Sequence, residues 1–312
     1  AWGNTCIIKP SEDTPASVTH LGRLAAEVGF PPGVLNVLNG HGAPAGSALT
    51  ADWDVDRVTF TGSSTTGKLV MASAATHLAP VSLELGGKGA NIVFEDADLD
   101  NAVYWAVEAI FRNAGQICLA GSRLLVQDGI YDEFMKRFVA AAEALQIGDP
   151  LAPGTKFSAL SSKKHFDKVT GYVAQIEELG GHIYTGGVAT DGSWVVRPTI
   201  ADGLALDAAP YCEEIFGPVC IVNRFTDEAD AVRMANDTRY GLNAMVFTEN
   251  LSRAHRVSSQ LRAGTVWVNC FFIRDLRTPF GGVGDSGVGR EGGNFSREFF
   301  TEPKAVVMQI TR

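Results

Sequence analysis

Short apolar runs alternate with helical segments through the first 85 residues, and this alternation limits the possible folds more than any other feature of the sequence. The stretches 5–9, 34–38, 57–61 and 81–85 predict strands, the first of them a buried strand that ends in Lys9. Helices are predicted between them, to about Val28, near 45–49 and from the 62–67 loop through Ala75. This order predicts an α/β fold with a doubly wound parallel sheet, which binds ligands at the carboxyl ends of its strands.

The first predicted helix has a recognisable start and one apolar face. The stretch 11–15 combines capping residues, acids for a first turn and a proline that suits that turn. The apolar side chains at helical spacing are Val18, Leu21, Leu24, Ala25 and Val28.

A second α/β pattern begins near residue 87. Strands are predicted at 91–94, 123–126, 219–222, 245–247 and 264–269, and helices at 102–114, 131–145, 166–179, 228–237 and 251–260. The glycine-rich stretch 279–293 predicts a loop, and the alternating apolar residues of 305–310 predict a closing strand. The chain thus divides into a partial doubly wound domain at 1–86, a second α/β domain at 87–290 and a C-terminal segment at 291–312.

Composition argues against several classes of protein. No apolar run approaches the roughly 20 residues that a membrane span needs, and no basic stretch followed by an apolar one predicts a secretory signal. The net charge of −9 argues against binding to nucleic acid. The five cysteines and the scattered histidines lack metal-ligand spacing, so we expect no metal site and a reducing, cytoplasmic location.

Cys118 is the first candidate for chemistry. It ends a Gly115-Gln116-Ile117-Cys118 turn that follows a predicted helix, where a sulfur can face a cleft and backbone N–H groups can stabilise an oxyanion. The alternative for an isolated cysteine is a buried structural role. Glu84, an acid between leucines before Gly86 and Gly87, is the candidate partner, although an acid at a strand end can also cap a turn or face water.

Two further segments fit a dinucleotide. The loop 60–67 follows a strand and opens a helix, which places backbone N–H groups where they can bind a phosphate, although a Gly/Ser turn without such a role has the same pattern. Lys9, at a strand end, and Glu12 can hold ribose hydroxyls, and an acid there favours a free 2′-OH. A solvated lysine and a helix-start glutamate are the alternative.

Two polar loops complete the set of candidates. In the stretch 213–218, paired acids precede Phe216 and a Gly-Pro turn, a pattern that also occurs in ordinary acidic loops. Arg274 and Arg277 precede the tight loop that begins at Pro279. Arginine matches the shape of a carboxylate, so these residues can bind an anionic substrate, the alternative being a surface arginine paired with Asp275.

Taken together, the sequence resembles the aldehyde dehydrogenase superfamily over essentially its whole length. The segments that carry the resemblance, in the order of that family, are Gly3-Asn4-Thr5, Lys9-Pro10-Ser11-Glu12, Phe60-Thr61-Gly62-Ser63, Leu83-Glu84-Leu85-Gly86-Gly87, Gly115-Gln116-Ile117-Cys118, Glu214-Ile215-Phe216-Gly217-Pro218 and Pro279-Phe280-Gly281-Gly282 with Ser286-Gly287 and Gly289-Arg290-Glu291. Several ordered motifs are far more specific than any one residue.

The resemblance implies a role for each matched residue. Cys118 is the implied nucleophile, and Glu84 is the implied base that activates water to hydrolyse a thioester. The implied contacts to NAD, with NADP also possible, are Lys9, Ser11, Glu12, Gly62, Ser63, Leu85, Gly86, Glu214 and Phe216. Apolar neighbours of Glu84 are expected to raise its pKa toward neutrality. On this basis residues 1–86 are the cofactor-binding domain and 87–290 the catalytic domain.

The stretch 267–280 is similar to the 2-hydroxymuconic, 2-aminomuconic and 5-carboxymethyl-2-hydroxymuconic semialdehyde dehydrogenases. Their substrates carry a carboxylate, so Arg274 and Arg277 are implied substrate contacts. Asn269 and Phe280 are implied at the substrate mouth. The expected partners are a small anionic aldehyde and further copies of the chain, joined through 305–310, with no nucleic acid or membrane.

The family is longer at its N-terminus, so we expect a truncated form. The part without a counterpart here includes first strands of the cofactor domain and an asparagine that shares the oxyanion. A non-catalytic remnant with a structural or subunit-association role is therefore the alternative function. A cysteine esterase or acyl-transferase without a cofactor is a third hypothesis, which the implied ribose contacts disfavour.

Overall fold

The first part of the chain contains four short parallel strands and three helices. The computed structural model describes residues 2–188 and 193–310. The elements of the first part are β1 (Cys6–Ile8), α1 (Ala16–Glu27), β2 (Leu35–Val37), α2 (Ser47–Ala51), β3 (Val58–Thr61), α3 (Ser64–Ala74) and β4 (Val81–Glu84), with a π-helical turn at Gly42–Gly46. The predicted order of strands and helices in this part is confirmed.

The second part alternates longer helices with strands. Its elements are β5 (Ala90–Val93), α4 (Leu99–Phe111), β6 (Arg123–Gln127), α5 (Tyr131–Glu143), α6 (Lys163–Glu178), β7 (His182–Thr185), β8 (Thr199–Asp202), α7 (Ala209–Cys212), β9 (Val219–Phe225), α8 (Glu228–Asn236), β10 (Asn243–Phe247), α9 (Leu251–Gln260) and β11 (Thr265–Val268). Two short elements, β12 (Gly287–Val288) and α10 (Gly293–Phe299), lie in and after the glycine-rich loop.

One seven-stranded sheet organises the second part, with strand order β11-β10-β5-β6-β9-β8-β7. All neighbouring strands are parallel except β7, which pairs antiparallel with β8. Helices bury apolar side chains against the sheet; Phe134 and Phe138 of α5, for example, are fully buried. A sheet covered on its faces in this way is the expected arrangement for parallel strands.

The first part departs from the expected single sheet. Its strands form two separate parallel pairs: β1 pairs with β2, and β3 pairs with β4. The second pair gains β12 as an antiparallel third strand, so the chain returns to this sheet from the far end of the 87–290 range. Helices α2 and α3 contact each other between the two pairs, where Thr50 Oγ1 donates to Ser73 Oγ at 3.0 Å.

The prediction that the first strand is buried is wrong, and the apolar face of α1 is largely uncovered. Cys6 is exposed and Ile7 is 51% exposed. On α1, Leu21 and Leu24 are 51% and 41% exposed, and Val28, which follows the helix, is 74% exposed. The reason is geometric: β1 and β2 form a sheet of two three-residue strands, which covers only part of a helix of 12 residues.

Two predicted helix ends are also wrong. Helix α1 begins after Pro15 without a side-chain cap, because Ser11 forms a turn with Thr14 (N–O distance 3.2 Å) instead of a cap. Helix α4 ends at Phe111 and does not reach residue 114. Asn113, Ala114 and Gly115 all have positive φ, which ends the helix.

The predicted strand at 305–310 is absent: this segment adopts no regular structure. Val306, Val307, Met308 and Ile310 are 65% to 95% exposed. A strand needs the backbone of a neighbour, and no described strand pairs with this segment. Separately, none of the helices within the described residues has the length and apolarity that crossing a membrane would require.

Candidate active site

Three loops meet between the two main sheets. The acid loop (residues 84–88) connects the carboxyl end of β4 to β5, the cysteine loop (112–119) precedes β6, and the Glu214 loop (213–218) precedes β9. Strands β5, β6 and β9 are neighbours in one parallel sheet, so the three loops lie side by side at its amino-terminal edge. The site is therefore bounded by the carboxyl end of one sheet and the amino end of another.

The acid loop is fixed from the far end of the chain. The hydroxyl of Ser286 donates to the Gly86 carbonyl at 2.6 Å, and the Leu85 N–H donates to the Ser286 carbonyl at 2.9 Å. The Ser286 hydroxyl also accepts the N–H of Gly241 at 3.0 Å, and Ser286 is fully buried. These bonds leave the backbone immediately after Glu84 with little freedom.

The Glu84 side chain is buried and bonded to nothing. It is 5% exposed, and neither carboxylate oxygen has a hydrogen-bond partner. Burial raises the pKa of Glu84 to about 7, helped by Glu291 and opposed by Arg290 and Arg274. The expected rise toward neutrality is confirmed, and it is the property that a general base needs near neutral pH.

The cysteine loop is strained. Asn113, Ala114 and Gly115 adopt left-handed φ values of 52°, 54° and 69° in succession. The Asn113 side chain supports this turn by donating to the Gln116 carbonyl at 3.0 Å, and the N–H of Ser161 donates to Gln116 Oε1 at 2.9 Å. Non-glycine residues in this region cost roughly 1–3 kcal/mol each and are found where the surrounding structure fixes them, often at functional sites.

Backbone-to-backbone packing joins the three loops. A β-carbon on Gly87 would lie 2.4 Å from the Cys118 carbonyl oxygen, and one on Gly115 would lie 2.2 Å from the carbonyl oxygen of Gly217. The N–H of Gly87 also donates to Glu214 Oε1 at 3.1 Å. Glycine is required at these contacts because no side chain fits between the loops.

Cys118 lies within this packing, half-buried. Burial raises the pKa of its thiol to about 11, with further increases from the carboxylates of Glu214 and Glu84, while the backbone N–H groups of Cys118 and Leu119 act in the opposite direction. The thiol is thus protonated near neutral pH, and attack on a substrate requires a base to take its proton. Glu84 is the neighbouring carboxylate with a pKa in the useful range.

The residues predicted to hold a cofactor fall into two groups. Lys9 and Glu12 form an ion pair (3.6 Å), and His41 lies 3.7 Å from the other oxygen of Glu12, while the Ser11 hydroxyl accepts the Asp13 N–H at 3.3 Å. The backbone N–H of Glu12 itself, and after it the charge of Lys9, hold the pKa of the Glu12 carboxyl below its usual value.

The second group lies on the β3–β4 sheet and the Glu214 loop. Ser63 caps α3 by accepting the Thr66 N–H at 3.2 Å, and Gly62 donates its N–H to the Glu84 carbonyl at 3.1 Å. Leu85 is buried, and Gly86 contacts the Glu214 carboxylate, where a β-carbon would lie 2.2 Å away. The structure thus brings Glu84, Cys118 and Glu214 together through direct contacts between their loops.

Phe216 is held at the end of the Glu214 loop. Its φ is 60°, its carbonyl oxygen lies 2.7 Å from His165 Nε2, and the ring centroids of the two residues are 5.7 Å apart. Lys168, one turn further along α6, donates to the Glu214 carbonyl at 2.9 Å. Helix α6 therefore fixes both residues that the sequence assigned to this loop.

The four predicted substrate residues occupy different environments. Arg274 lies 4.4 Å from the centroid of the Phe280 ring and lowers the pKa of Glu84, so it is near the acid. Arg277 is 87% exposed and bonded to Asp275, which matches the alternative of a surface ion pair.

Asn269 bonds both backbone groups of Thr248, at 3.0 and 2.9 Å, so its side chain holds the loop rather than projecting from it. Phe280 packs against the same apolar cluster as Cys118.

Sequence reasoning missed the roles of two residues that fix the acid loop, although one of them, Ser286, lies within a motif that carried the family resemblance. Lys88 is fully buried, donates to the Pro210 carbonyl at 2.9 Å and has its pKa lowered to about 7, mainly by burial and then by Arg123. Ser286 is the other. The signals in the sequence were weak: a lysine next to a glycine pair, and a serine within a glycine-rich loop.

No group of three or more potential ligands able to hold a metal occurs in the part of the chain that is described.

A cysteine and a buried carboxylate, set between two α/β sheets beside a second carboxylate, define a thiol–carboxylate site. Comparison with known proteins then identifies the family. Residues 1–306 match the model of the Aldehyde dehydrogenase family, and the chain belongs to that family. The resemblance inferred from the ordered motifs is confirmed.

Several relatives in the family act on muconic semialdehydes by name. The chain is 48% identical over 318 residues to the 2-hydroxymuconic semialdehyde dehydrogenase of Pseudomonas sp. (strain CF600), which covers 99% of this chain and 65% of that protein. It is 44% identical over 320 residues to the 2-aminomuconic 6-semialdehyde dehydrogenase of Pseudomonas sp, covering 100% of this chain and 65% of that protein. The chain thus spans about 65% of the length of these relatives.

Solved structures confirm the fold. PnpE from Pseudomonas sp. WBC-3 superposes with a TM-score of 0.93 at 44% identity, over 96% of this chain and 62% of that chain. A structure of PnpE in complex with nicotinamide adenine dinucleotide gives a TM-score of 0.94. HpcC from Thermus Thermophilus gives 0.94 at 40% identity, over 99% of this chain and 63% of that chain.

Proposed function

We propose that this protein oxidises an aldehyde to a carboxylic acid with NAD, through a thioester on Cys118 that Glu84 helps to hydrolyse. The observation that carries the proposal is the unbonded, buried carboxylate of Glu84, with a pKa of about 7, in the loop that contacts the Cys118 backbone. A buried carboxylate without a partner is costly to maintain, and such groups are concentrated at functional sites. Membership of the aldehyde dehydrogenase family supports the same chemistry.

The residues present fit a dinucleotide. Glu12 and Glu214 each have a carboxylate oxygen to offer a ribose hydroxyl, and the amino end of α3, capped by Ser63, suits a pyrophosphate. Gly62 and Gly86 carry no side chain, and Leu85 is buried, so little bulk separates the loops that would contact the cofactor. Phe216, in the same loop as Glu214, is 36% exposed. NAD is favoured over NADP because Glu12 would repel a 2′-phosphate.

The chemistry begins with loss of the Cys118 proton. Glu84 accepts it, the sulfur attacks the aldehyde carbon, and a carbon–sulfur bond forms while the carbonyl oxygen gains negative charge. The backbone N–H of Cys118 is one donor for that oxygen. A bound nicotinamide would accept the hydride that leaves the hemithioacetal, which becomes a thioester.

Hydrolysis uses Glu84 a second time. Glu84 first releases the Cys118 proton to solvent. Its carboxylate then takes a proton from water, the hydroxide so formed attacks the thioester, and the carbon–sulfur bond breaks to release the acid and regenerate the thiolate. Arg274 lies near Glu84, whereas Arg277 is paired with Asp275, so Arg274 is the stronger of the two arginine candidates for a carboxylate on the substrate. The substrate class that we propose is a semialdehyde that carries a carboxylate. We further propose that the protein is cytoplasmic and assembles into a homo-oligomer.

The test is formation of NADH when the purified chain meets a panel of carboxylate-bearing semialdehydes. We expect turnover that disappears in Cys118→Ala, and calorimetric binding of NAD by both proteins. A folded chain that binds NAD but oxidises no member of a broad aldehyde panel would refute the proposed activity.

A structural or subunit-association role is the second candidate. Two observations favour it: the exposed apolar face of α1, and the exposed apolar side chains of segment 305–310. It predicts a folded chain without detectable NAD binding that associates with another subunit. Sedimentation of the chain with and without residues 305–310, together with NAD calorimetry, separates the two functions.

A further inference from the structure

Asn243, at the amino end of β10, is buried against the cysteine loop. It is 4% exposed, and its Nδ2 donates to the carbonyl of Leu119, the residue after Cys118, at 3.1 Å. Strand β10 pairs with β5, which in turn pairs with β6, so the start of β10 lies at the same edge of the sheet as the three loops of the site. A residue 124 positions further along the chain therefore bonds directly to the loop of the nucleophile.

The Asn243 amide is confined between a glycine and the cysteine loop. A β-carbon on Gly89 would lie 3.0 Å from Asn243 Nδ2, 3.2 Å from its Oδ1 and 3.1 Å from the carbonyl oxygen of Ala120. The preceding residue of β10 is close to the acid loop, since a β-carbon on Gly87 would lie 3.5 Å from the β-carbon of Leu242. The start of β10 thus supports the acid loop and the cysteine loop together.

Packing alone does not account for an asparagine at this position. Its Oδ1 is buried and, within the described residues, has no hydrogen-bond partner. A buried polar atom without a partner is unfavourable, and an apolar side chain such as leucine, which branches at the same carbon, would avoid that cost. The property that leucine would lack is the bond from Nδ2 to the Leu119 carbonyl.

The bond from Asn243 acts on the turn that contains the nucleophile. The N–H of Ala120 donates to the carbonyl of Ile117 at 3.0 Å, so Cys118 and Leu119 are the two central residues of a turn. The backbone N–H groups of Cys118 and Leu119 lower the pKa of the Cys118 thiol, which places both of them toward the sulfur. Asn243 holds the second of these central residues from outside the turn.

We propose that Asn243 is a positioning residue, which holds the turn so that the backbone N–H groups of Cys118 and Leu119 face the sulfur. Oriented N–H donors stabilise a thiolate, and they also stabilise an oxyanion that forms beside it. Without the bond to its carbonyl, Leu119 can rotate its N–H away from the sulfur. The inference rests on the proposed function for the role of Cys118, but it concerns a property of the thiol that can be measured without turnover.

The test is the rate at which iodoacetamide alkylates Cys118, followed by mass spectrometry of the peptide that contains it, from about pH 7 to pH 9. Asn243→Leu should slow the reaction about threefold or more at each pH, because a smaller fraction of the sulfur is ionised. The two proteins should react at equal rates once unfolded in urea. Asn243→Ser, which removes the amide without adding volume, should slow the reaction in the same direction and serves if leucine does not allow folding.

Asn223→Leu is the matched control. Asn223 is a half-buried residue of β9 in the same sheet, and its Nδ2 donates to the carbonyl of Leu204, outside the cysteine loop, at 3.5 Å. Thermal unfolding monitored by circular dichroism establishes that each variant is folded. An unchanged or faster alkylation rate in a folded Asn243 variant, or an equal loss in Asn223→Leu, overturns the positioning role.

Turnover adds a separate readout. If the chain oxidises aldehydes, Asn243→Leu should lower kcat and leave the KM for NAD little changed, because the cofactor contacts lie elsewhere. Slower alkylation in Asn243→Leu, together with an unaltered protein that oxidises no aldehyde, would refute the proposed function and leave the positioning role standing. Normal turnover with unchanged alkylation in the variant would do the reverse.

Discussion

Residues 2–86 and residues 87–290 differ in how completely they bury their apolar side chains. The seven-stranded sheet of the second region is covered by helices, and Val93, Phe138, Ile200 and Met245 are fully buried. The first region has one small cluster, consisting of Val58, Val70, Ala74, Leu83 and Leu85, and exposes much of α1. The proposed nucleophile, Cys118, comes from the well-packed region and Glu84 from the edge of the other, so we expect the second region to supply most of the rigidity of the proposed site.

The largest expected effect is the loss of turnover when Cys118, which the well-packed region contributes, is replaced. Cys118→Ala should lower turnover by on the order of 10⁴-fold or more, because it removes the atom that bonds to the substrate. Stability should change little, since the change removes one half-buried sulfur. Steady-state kinetics and thermal unfolding of the same sample check both points, and appreciable turnover in the variant would remove Cys118 from the mechanism.

Glu84 tests the contribution of the other region. Glu84→Gln should lower turnover about 10²–10⁴-fold, because an amide cannot accept a proton. In the unaltered protein, activity should rise with pH through the Glu84 pKa of about 7, since only the ionised carboxylate acts as a base. Folding raises the pKa of Glu84, so between about pH 4.5 and pH 7 the folded state binds more protons than the unfolded state. The contribution of Glu84 to stability therefore falls as the pH rises through that window. A flat pH–rate profile through neutrality would contradict the role of Glu84.

A pair of substitutions, one in the core and one on the exposed face of α1, measures the difference in packing directly. Phe138→Ala, at a fully buried position of α5, should cost about 3–5 kcal/mol of unfolding free energy. Leu24→Ala, at a position of α1 that is 41% exposed, should cost less than about 1 kcal/mol. Denaturant unfolding of both variants gives the comparison, and a large loss in Leu24→Ala would show that the face of α1 is covered in solution.

Lys88 lies at the junction of the two regions and predicts a smaller, pH-dependent effect. Its pKa falls from 10.5 to about 7 on folding, so the unfolded state binds more protons between these values. Stability should therefore rise with pH from about 7 toward 10, by at most about 1.4 kcal/mol per pH unit for this one group. Lys88→Met should flatten that rise in denaturant unfolding measured across the window. An unchanged pH dependence in the variant would place the titration elsewhere.

The smallest expected effect distinguishes the two arginines. Arg274 lowers the pKa of Glu84, so Arg274→Gln should raise the midpoint of the pH–rate profile by a fraction of a unit. Arg277→Gln should leave the midpoint unchanged, because Arg277 is paired with Asp275 at the surface. A shift of equal size in both variants would show that net charge, and not the position of Arg274, sets the acid's pKa.

Much of this arrangement could be predicted from the sequence, and the failures have identifiable causes. Periodicity predicted both ends of α9, and the ordered motifs predicted the family and placed Glu84 and Cys118 in loops that the structure shows in contact. Periodicity cannot report whether a face is covered, so the burial of β1 was wrong. The strand at 305–310 failed because strand formation depends on a neighbour that local sequence does not contain. Lys88 and Ser286 were missed because their roles depend on contacts 122 and 200 residues distant.

The bond between Ser286 and Gly86 has a consequence for the order in which the protein is made. A chain synthesised from its N-terminus presents Glu84 and Cys118 long before residue 286 leaves the ribosome, and domains tend to fold as they emerge. The acid loop cannot take its final shape until Ser286, 200 residues after Gly86, has been added. The nascent chain therefore carries the two residues proposed to react while their loops are still unassembled, and the bonds from one late serine then fix the loop that follows Glu84.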